Sequence, residues 1–317
     1  MKNNLLSSVG STPLIELPVI DPDCPAKIFA KLELFNPSGS VKDRIAKHII
    51  EKAEREGKLR EDSIVVEATS GNTGISFAMV AALKGYKMRV LMPESMSKER
   101  VYIMKALGAE VVLTPEEDGF LGAIRRSREM AEEDPRVFLP LQFENPDNTE
   151  AHCLFTGREI LEQMKERIDV FVAGVGTGGT IMGVARAFRE ADMDVLVVAV
   201  EPEEAAVLSG GLPGPHKIQG LGDGFVPNLV DISRIDEVVK VSSGSAIDMA
   251  HRISRSLGLI VGISSGANVY GSIEIGKRLG GGLKIVTIFP DRGERYFSTD
   301  LFRMCEECED RTLEVRP

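Results

Sequence analysis

The sequence predicts an α/β protein built from two doubly wound, mostly parallel sheets. Three observations carry that prediction. Short apolar runs alternate with helix-period segments along the whole chain, as in parallel sheets covered on both faces. Three glycine-rich turns each follow a strand and open a helix. And 317 residues, 43% of them hydrophobic, suffice for two such units.

The elements follow in order. Ile28 to Leu34 alternates with period two and reads as a strand. Ser40 to Glu56 is an amphipathic helix, with Ser40 and Asp43 placed as a capping box. Ile64 to Val66 is a short buried strand, followed by a small-residue helix from Asn72 to Leu83. Met88 to Met92 is a strand, Lys98 to Leu107 a helix, and Glu110 to Leu113 and Val137 to Leu139 are strands around a helix at Gly122 to Glu133. Strands recur at Val170 to Ala173, Val195 to Val200 and Ile285 to Phe289, with helices after Gly179, Ser245 and Ser265. The break between the sheets falls near Glu144 to Asp147, giving an N-terminal α/β domain of residues 36–146. Residues 1–35 and 147–303 make the C-terminal α/β domain, and 304–317 an acidic tail. Ser209 to Pro227 is the longest loop-like stretch, a length common in functional loops.

A net charge of −10 argues against nonspecific nucleic-acid binding and against anionic membrane surfaces. It also assigns any phosphate to backbone N–H groups rather than to a basic patch. No apolar run is long enough to span a bilayer, and no signal peptide is visible, so a cytoplasmic home is expected. Cys305 and Cys308 form a CxxC in the acidic tail, but Cys24 and Cys153 supply no matching pair for a zinc site. His48, His152, His216 and His251 lack metal-ligand spacing, and no metal is expected.

Lys42 is the candidate for chemistry. It lies in Asn36-Pro37-Ser38-Gly39-Ser40-Val41-Lys42-Asp43-Arg44, where a turn runs into a helix. The field of a helix start disfavours an ammonium and favours the neutral amine that forms Schiff bases. Thr69-Ser70-Gly71-Asn72-Thr73-Gly74 supplies more hydroxyls, amides and glycines at a helix start than capping needs, and suits a carboxylate or phosphate. Gly174-Val175-Gly176-Thr177-Gly178-Gly179-Thr180 contains a formal G-x-G-x-x-G, with Glu201 ending the next strand. By spacing alone this fits a dinucleotide fingerprint, any phosphate on a helix dipole, or a tight turn. Gly262-Ile263-Ser264-Ser265-Gly266 matches a nucleophile elbow, yet no histidine follows Ser264 as the hydrolase order requires, so Ser264 reads as a hydrogen-bonding group. Gln219-Gly220-Leu221-Gly222-Asp223-Gly224-Phe225 is too rich in glycine for a helix or strand and reads as a loop against a ligand or a surface turn.

Taken together, these segments, with Gly10-Ser11-Thr12-Pro13-Leu14, Gln142-Phe143-Glu144-Asn145-Pro146 and Gly293-Glu294-Arg295-Tyr296, resemble the cysteine synthase and cystathionine β-synthase family of fold-type-II pyridoxal-phosphate enzymes over nearly the whole chain. The resemblance implies a tryptophan-synthase-β-like fold and pyridoxal 5′-phosphate as cofactor, held mostly by the C-terminal domain. It implies that Lys42 carries the cofactor as an internal aldimine and that Gly176, Thr177, Gly178, Gly179 and Thr180 hold its phosphate. Asn72 would meet the ring's 3′ oxygen and Ser264 the pyridine nitrogen. Thr69, Ser70, Gly71, Thr73, Gln142, Gly220 and Asp223 would bind substrate. The implied reaction is β-replacement, making L-cysteine from O-acetylserine and sulfide through an α-aminoacrylate. The alternative is elimination or replacement on cysteine or O-phosphoserine. A serine at the pyridine nitrogen makes the ring a weaker electron sink, which suits β-elimination and not transamination. Gln219 fits the acetylserine type. Asp223 departs from it, and a carboxylate there would activate water or repel sulfide. The resemblance also implies a homodimer and a serine acetyltransferase partner.

Overall fold

The computed structural model describes residues 5–69, 71–94 and 98–306, with the backbone alone for 304–306. In chain order the strands are β1 (Leu14–Glu16), β2 (Lys27–Leu32), β3 (Ile64–Ala68), β4 (Lys87–Pro93), β5 (Glu110–Thr114), β6 (Val137–Phe138), β7 (Val170–Gly174), β8 (Leu196–Pro202), β9 (Glu237–Val241) and β10 (Lys284–Phe289). The helices are α1 (Lys42–Arg55), α2 (Asn72–Lys84), α3 (Lys98–Ala106), α4 (Gly119–Glu133), α5 (Pro146–Ala151), α6 (Arg158–Gln163), α7 (Gly179–Glu190), α8 (Ser243–Leu257), α9 (Ile263–Leu279) and α10 (Asp300–Glu306). A π-helical turn, His152–Gly157, joins α5 to α6.

Two sheets result. The smaller runs β5-β4-β3-β6, every pairing parallel. The larger runs β1-β2-β10-β7-β8-β9, parallel except for the edge pair of β1 with β2. The larger sheet is therefore closed by joining a strand from early in the chain, β2, to the latest strand, β10, in the register Lys27 with Lys284 through Leu32 with Phe289.

Alternation explains why these strands read as continuous apolar runs. Val170, Val172, Val198 and Val200 enter one core cluster, while Phe171, Ala173, Val197 and Ala199 enter the other. Successive side chains leave a strand on opposite faces, and helices cover both. In the smaller sheet Val65 faces one core, and Ile64, Val66 and Ala68 the other. All five residues of β3 are buried.

Several expectations need correction. The capping box at Ser40 and Asp43 does not form: α1 starts at Lys42, Val41 occupies the cap, and the Ser40 hydroxyl has no partner. Asp43 instead accepts from the Ser38 amide at 2.6 Å, the Ser38 hydroxyl, and the Ser76 hydroxyl at 2.6 Å. The strand placed at Ile28 to Leu34 ends at Leu32, where Glu33–Phe35 turns so that the Glu33 carboxylate meets Arg44 inside. The helix placed at Gly122 begins at Gly119. β1, β9 and the helical run through the π turn were outside the sequence reading, because β1 is short and the run lacks one clear apolar period. Cys308 lies outside the described residues, and the side chain of Cys305 is not described. Ser209 to Pro227 contains no helix or strand.

Candidate active site

The ends of β3, β7 and β10 from the two sheets converge on one cavity of about 100 Å³. Crevices beyond the carboxyl ends of parallel strands are where ligands bind in this architecture. Among the residues lining the cavity are Lys42, Thr69, Gly71, Asn72, Thr73, Gln142, Gly176, Thr177, Gly178, Thr180, Gly220, Asp223 and Ser264. The sequence-selected residues from six separate segments thus face a common space. Gly179 stands just behind it as the first residue of α7. Ser70 lies outside the described residues.

Lys42 is placed by its neighbours. The Val41 amide donates to the Pro290 carbonyl at 2.8 Å, and Ser40 bridges to Asp291. Its ammonium finds no hydrogen-bond acceptor among the described residues. Protein surrounds the group on the sides that do not open to the cavity. That burial lowers its pKa below the ordinary lysine value, with Asp291 and Asp223 pulling it back up. Burial, more than the helix start, is what favours the neutral amine.

Two helix N-termini aim into the cavity. α2 is capped by Gly71 and α7 by Gly178, and neither cap uses a side chain. First-turn N–H groups therefore remain available to an anion, although at α7 the Gly179 N–H also makes a long 3.4 Å contact with Thr177 Oγ1. At α2, the Thr73 hydroxyl donates to Gln142 Oε1 at 2.7 Å, and Gln142 Nε2 lies 3.4 Å from the Ala68 carbonyl. At α7, Gly178 takes φ +83°, a left-handed conformation natural to glycine. The Thr177 hydroxyl accepts from Asn148 Nδ2 at 3.0 Å, and Asn148 also donates to the Gln142 carbonyl at 2.8 Å. Asn148 thus ties Gln142 to the Gly176–Thr180 loop. The Thr180 hydroxyl meets His152 Nε2 at 3.2 Å. Complete burial, with Lys42 and Arg44 near, keeps that imidazole neutral.

The donor set fits pyridoxal phosphate. A phosphate finds an uncapped helix start and the Thr177 and Thr180 hydroxyls. An aldehyde finds an amine of lowered pKa, and a ring nitrogen finds the Ser264 hydroxyl, which is buried without a described partner. Ser264 sits in the first turn of α9.

A network that the sequence reading did not select lines the far wall. Asp291 is 1% exposed, and its Oδ2 accepts from Asn72 Nδ2 and from the Tyr296 hydroxyl, both at 2.6 Å. Asn72 Oδ1 accepts from Arg295, and Arg295 also reaches the Ser38 carbonyl. Asp291 Oδ1 has no partner. Only the neighbouring Gly293-Glu294-Arg295-Tyr296 match hinted at this wall.

The mouth belongs to the loop of residues 206–231. Gly220 takes φ +89° and Gly222 φ +63° there. Asp223 lines the cleft wall, where the surrounding protein raises its carboxyl above the ordinary value, opposed by Lys42 and His216. Across the mouth, Phe143 packs against Phe120 at 5.7 Å and against Phe225 at 5.4 Å between ring centres. A second cavity of about 370 Å³ adjoins the first through Arg100, Gln219, Gly220, Leu221 and Asp223.

Both rival readings lose their chemistry here. Glu201 is not available to a ribose: its carboxylate takes the Leu208 amide at 2.8 Å, the Ser209 amide at 3.2 Å and the Ser209 hydroxyl. No histidine lines the cavity beside Ser264, so a hydrolase triad is not assembled.

Comparison with known proteins agrees with this geometry. Residues 5–291 match the family described as pyridoxal-phosphate dependent enzymes. A cysteine synthase of Staphylococcus aureus is 49% identical over 301 residues, 95% of this chain and 97% of that protein. The solved structure of a cysteine synthase from Entamoeba histolytica superposes with a TM-score of 0.91 at 41% identity, covering 96% of this chain and 91% of that one. A hydrogen sulfide-producing enzyme from Fusobacterium nucleatum superposes with a TM-score of 0.90 at 42% identity, covering 94% and 91%.

Proposed function

The chain belongs to the pyridoxal-phosphate-dependent enzymes, and from that membership we propose that it is a cysteine synthase, making L-cysteine and acetate from O-acetylserine and sulfide by β-replacement. The observation that carries the reading is one amine of lowered pKa, Lys42, set between two uncapped helix starts.

When bound, pyridoxal phosphate supplies an aldehyde for covalent attachment and a conjugated ring that takes up the electron pair of the substrate's breaking Cα–H bond. Lys42 is the residue of attachment. The α7 N-terminus with Thr177 and Thr180 holds the phosphate without a cation. Asn72 and Ser264 would hold the ring at its 3′ oxygen and its nitrogen. Thr69, Ser70, Gly71, Thr73 and Gln142 hold the substrate's α-carboxylate at the α2 N-terminus, where the Thr73–Gln142 bond sets both side chains in advance. The free Lys42 amine would take the α-proton. Burial lowers that amine's pKa, which favours the neutral form that a general base requires. Acetate leaves from the β-carbon and sulfide adds there. The three phenylalanine rings at the mouth keep water from the reacting carbon.

Borohydride trapping with peptide mapping tests the reading. The label is expected on Lys42, and Lys42→Ala is expected to lose about 10²–10⁴-fold in kcat. Label on a different lysine in active enzyme would overturn it.

Asp223 favours a second reading. Its carboxylate faces Lys42 from the mouth, where it repels a sulfide anion and accepts a proton from water. On this reading cysteine is the substrate and hydrogen sulfide the product. Comparing wild type with Asp223→Ala on O-acetylserine and on cysteine decides between the two. Sulfide release from cysteine that falls selectively in the variant supports the second; unchanged product ratios dismiss it.

The same family likeness supports a homodimer, a serine acetyltransferase partner, a cytoplasmic setting and the division into residues 36–146 against 1–35 with 147–303. No helix among the described residues is long and apolar enough to cross a membrane.

A further inference from the structure

A histidine ring can serve a carbonyl at one nitrogen and an amide N–H at the other only as one neutral tautomer, because the carbonyl takes a hydrogen and the N–H offers one. His216 meets both. Its Nε2 lies 3.0 Å from the Gly222 carbonyl, so Nε2 carries the hydrogen. Its Nδ1 accepts from the Ile218 amide at 3.2 Å, so Nδ1 is bare. One ring thus clamps both ends of the turn 218–222, whose Gln219, Gly220 and Leu221 line both cavities. The Gly222 peptide is also held from its other side, where its N–H donates to the Val175 carbonyl at 3.1 Å. Gly222 has no slack: a Cβ there would lie 2.8 Å from Pro202 and 3.2 Å from His216 Nε2. Leu221 closes on the same segment, where a Cβ on Gly174 would meet its side chain at 2.6 Å.

We propose that His216 is a positioning residue: as the neutral Nε2–H tautomer it locks the turn 218–222 onto the loop before α7, and so sets Gln219, Gly220 and Asp223 along the path of the entering substrate. The proposal rests on the cavity being the reaction site, and it holds whether the chemistry there makes cysteine or consumes it. The clamp is sensitive to a proton. A hydrogen added at Nδ1 would set two donors against each other, Nδ1–H and the Ile218 N–H, so one end of the turn would come loose while the Gly222 end stayed held. Several charged groups surround the ring. Glu204, after β8, and Asp223, on the same loop, favour its protonated form. Arg100 of α3 lines the second cavity with it and opposes that form, while the neighbouring Lys217 is engaged by Asp300. Among the described residues, none of these side chains makes a hydrogen bond to the ring; only the Gly222 carbonyl and the Ile218 amide do.

The test compares the wild-type holoenzyme with His216→Gln and His216→Asn, following kcat and KM for the amino-acid substrate against pH. The Gln amide keeps a donor for the Gly222 carbonyl but offers nothing to Ile218, so it imitates the protonated ring. The Asn side chain keeps the acceptor for Ile218 and loses the donor to Gly222. Neither titrates. The wild-type KM is expected to rise about fivefold between about pH 8 and about pH 6, where imidazoles as a class take up a proton, with kcat changing less. Both variants should show a KM raised about fivefold already at about pH 8, and neither should show the wild-type step. A step that persists in either variant overturns the proposal, as does a KM at about pH 8 that matches wild type in both, or a loss confined to melting temperature. If neither variant folds, hydrogen exchange of the wild-type holoenzyme decides, read by mass spectrometry and corrected for its intrinsic pH dependence. Protection at 218–222 should drop on the acid side of that span, and constant protection overturns the proposal. Borohydride label on a lysine other than Lys42 would refute the function reading instead, and that is a separate result.

Discussion

Gly176 has no room for a side chain. A Cβ there would lie 2.3 Å from the Gly220 carbonyl oxygen, a backbone atom that cannot swing aside. Gly176→Ala must therefore push the loop before α7 and the mouth loop apart. We expect the variant to fold but to retain cofactor at least about tenfold more weakly, read as absorbance lost on dialysis. The sequence made this position visible because glycine clusters are locally conspicuous. It could not reveal Asp291, Asn148 or His152, single polar residues whose importance comes from partners far away in the chain. The helix start that singled out Lys42 was legible, whereas the burial that lowers its pKa was not.

At the scale of elements, α1 carries Lys42 and is anchored by a buried ionic cluster. Arg44 donates to Glu33 at 2.6 and 2.8 Å and to Glu159 at 2.7 Å, and Lys31 joins Glu159 at 2.7 Å. Glu33→Ala would strip a fully buried guanidinium of one partner and is expected to destabilise by about 3–5 kcal/mol in denaturant titration. Burial alone would raise the Glu159 carboxyl, but Arg44 and Lys31 hold it down to about 2. A lowered carboxylate stabilises above its unfolded value and loses that contribution as pH falls. The acid loss of stability between 4.5 and about 2 should therefore flatten in Glu159→Gln. Glu67 on β3 behaves oppositely. Burial raises its carboxyl to about 8, despite the backbone amides of Gln142 and Leu141 beside it, and one oxygen is unpartnered. A raised carboxyl favours the folded state at low pH, so stability should fall as pH rises from 4.5 to about 8. Glu67→Gln should remove that slope in melting-temperature scans. Strand and helix positions were legible from period and glycine punctuation, and most boundaries shift by only a residue or two. The failed capping box shows the limit. Local spacing suggested Ser40 with Asp43, but Ser76 from another helix competed successfully for the carboxylate.

At the scale of the whole molecule, the reaction space exists only where the two sheets meet. Phe120, Phe143 and Phe225 come from three separate segments and close it from outside. Opening that cover should let water reach the reacting carbon. In Phe143→Ala a larger share of turnovers is expected to end as a keto acid and ammonia, measured against cysteine formed; an unchanged ratio would show that the rings do not seal the mouth. The alternating pattern made two parallel sheets legible, but it did not show β1 or β9, or which strands neighbour each other. The pairing of β2 with β10 has a cost during synthesis. At a ribosomal rate of about 5–20 residues per second, β2 waits roughly 10–50 s for its neighbour to emerge. For that interval the nascent chain carries a β1–β2 hairpin with one bare edge, and a holdase that shields it should raise the yield of soluble product more than any mutation near Lys42.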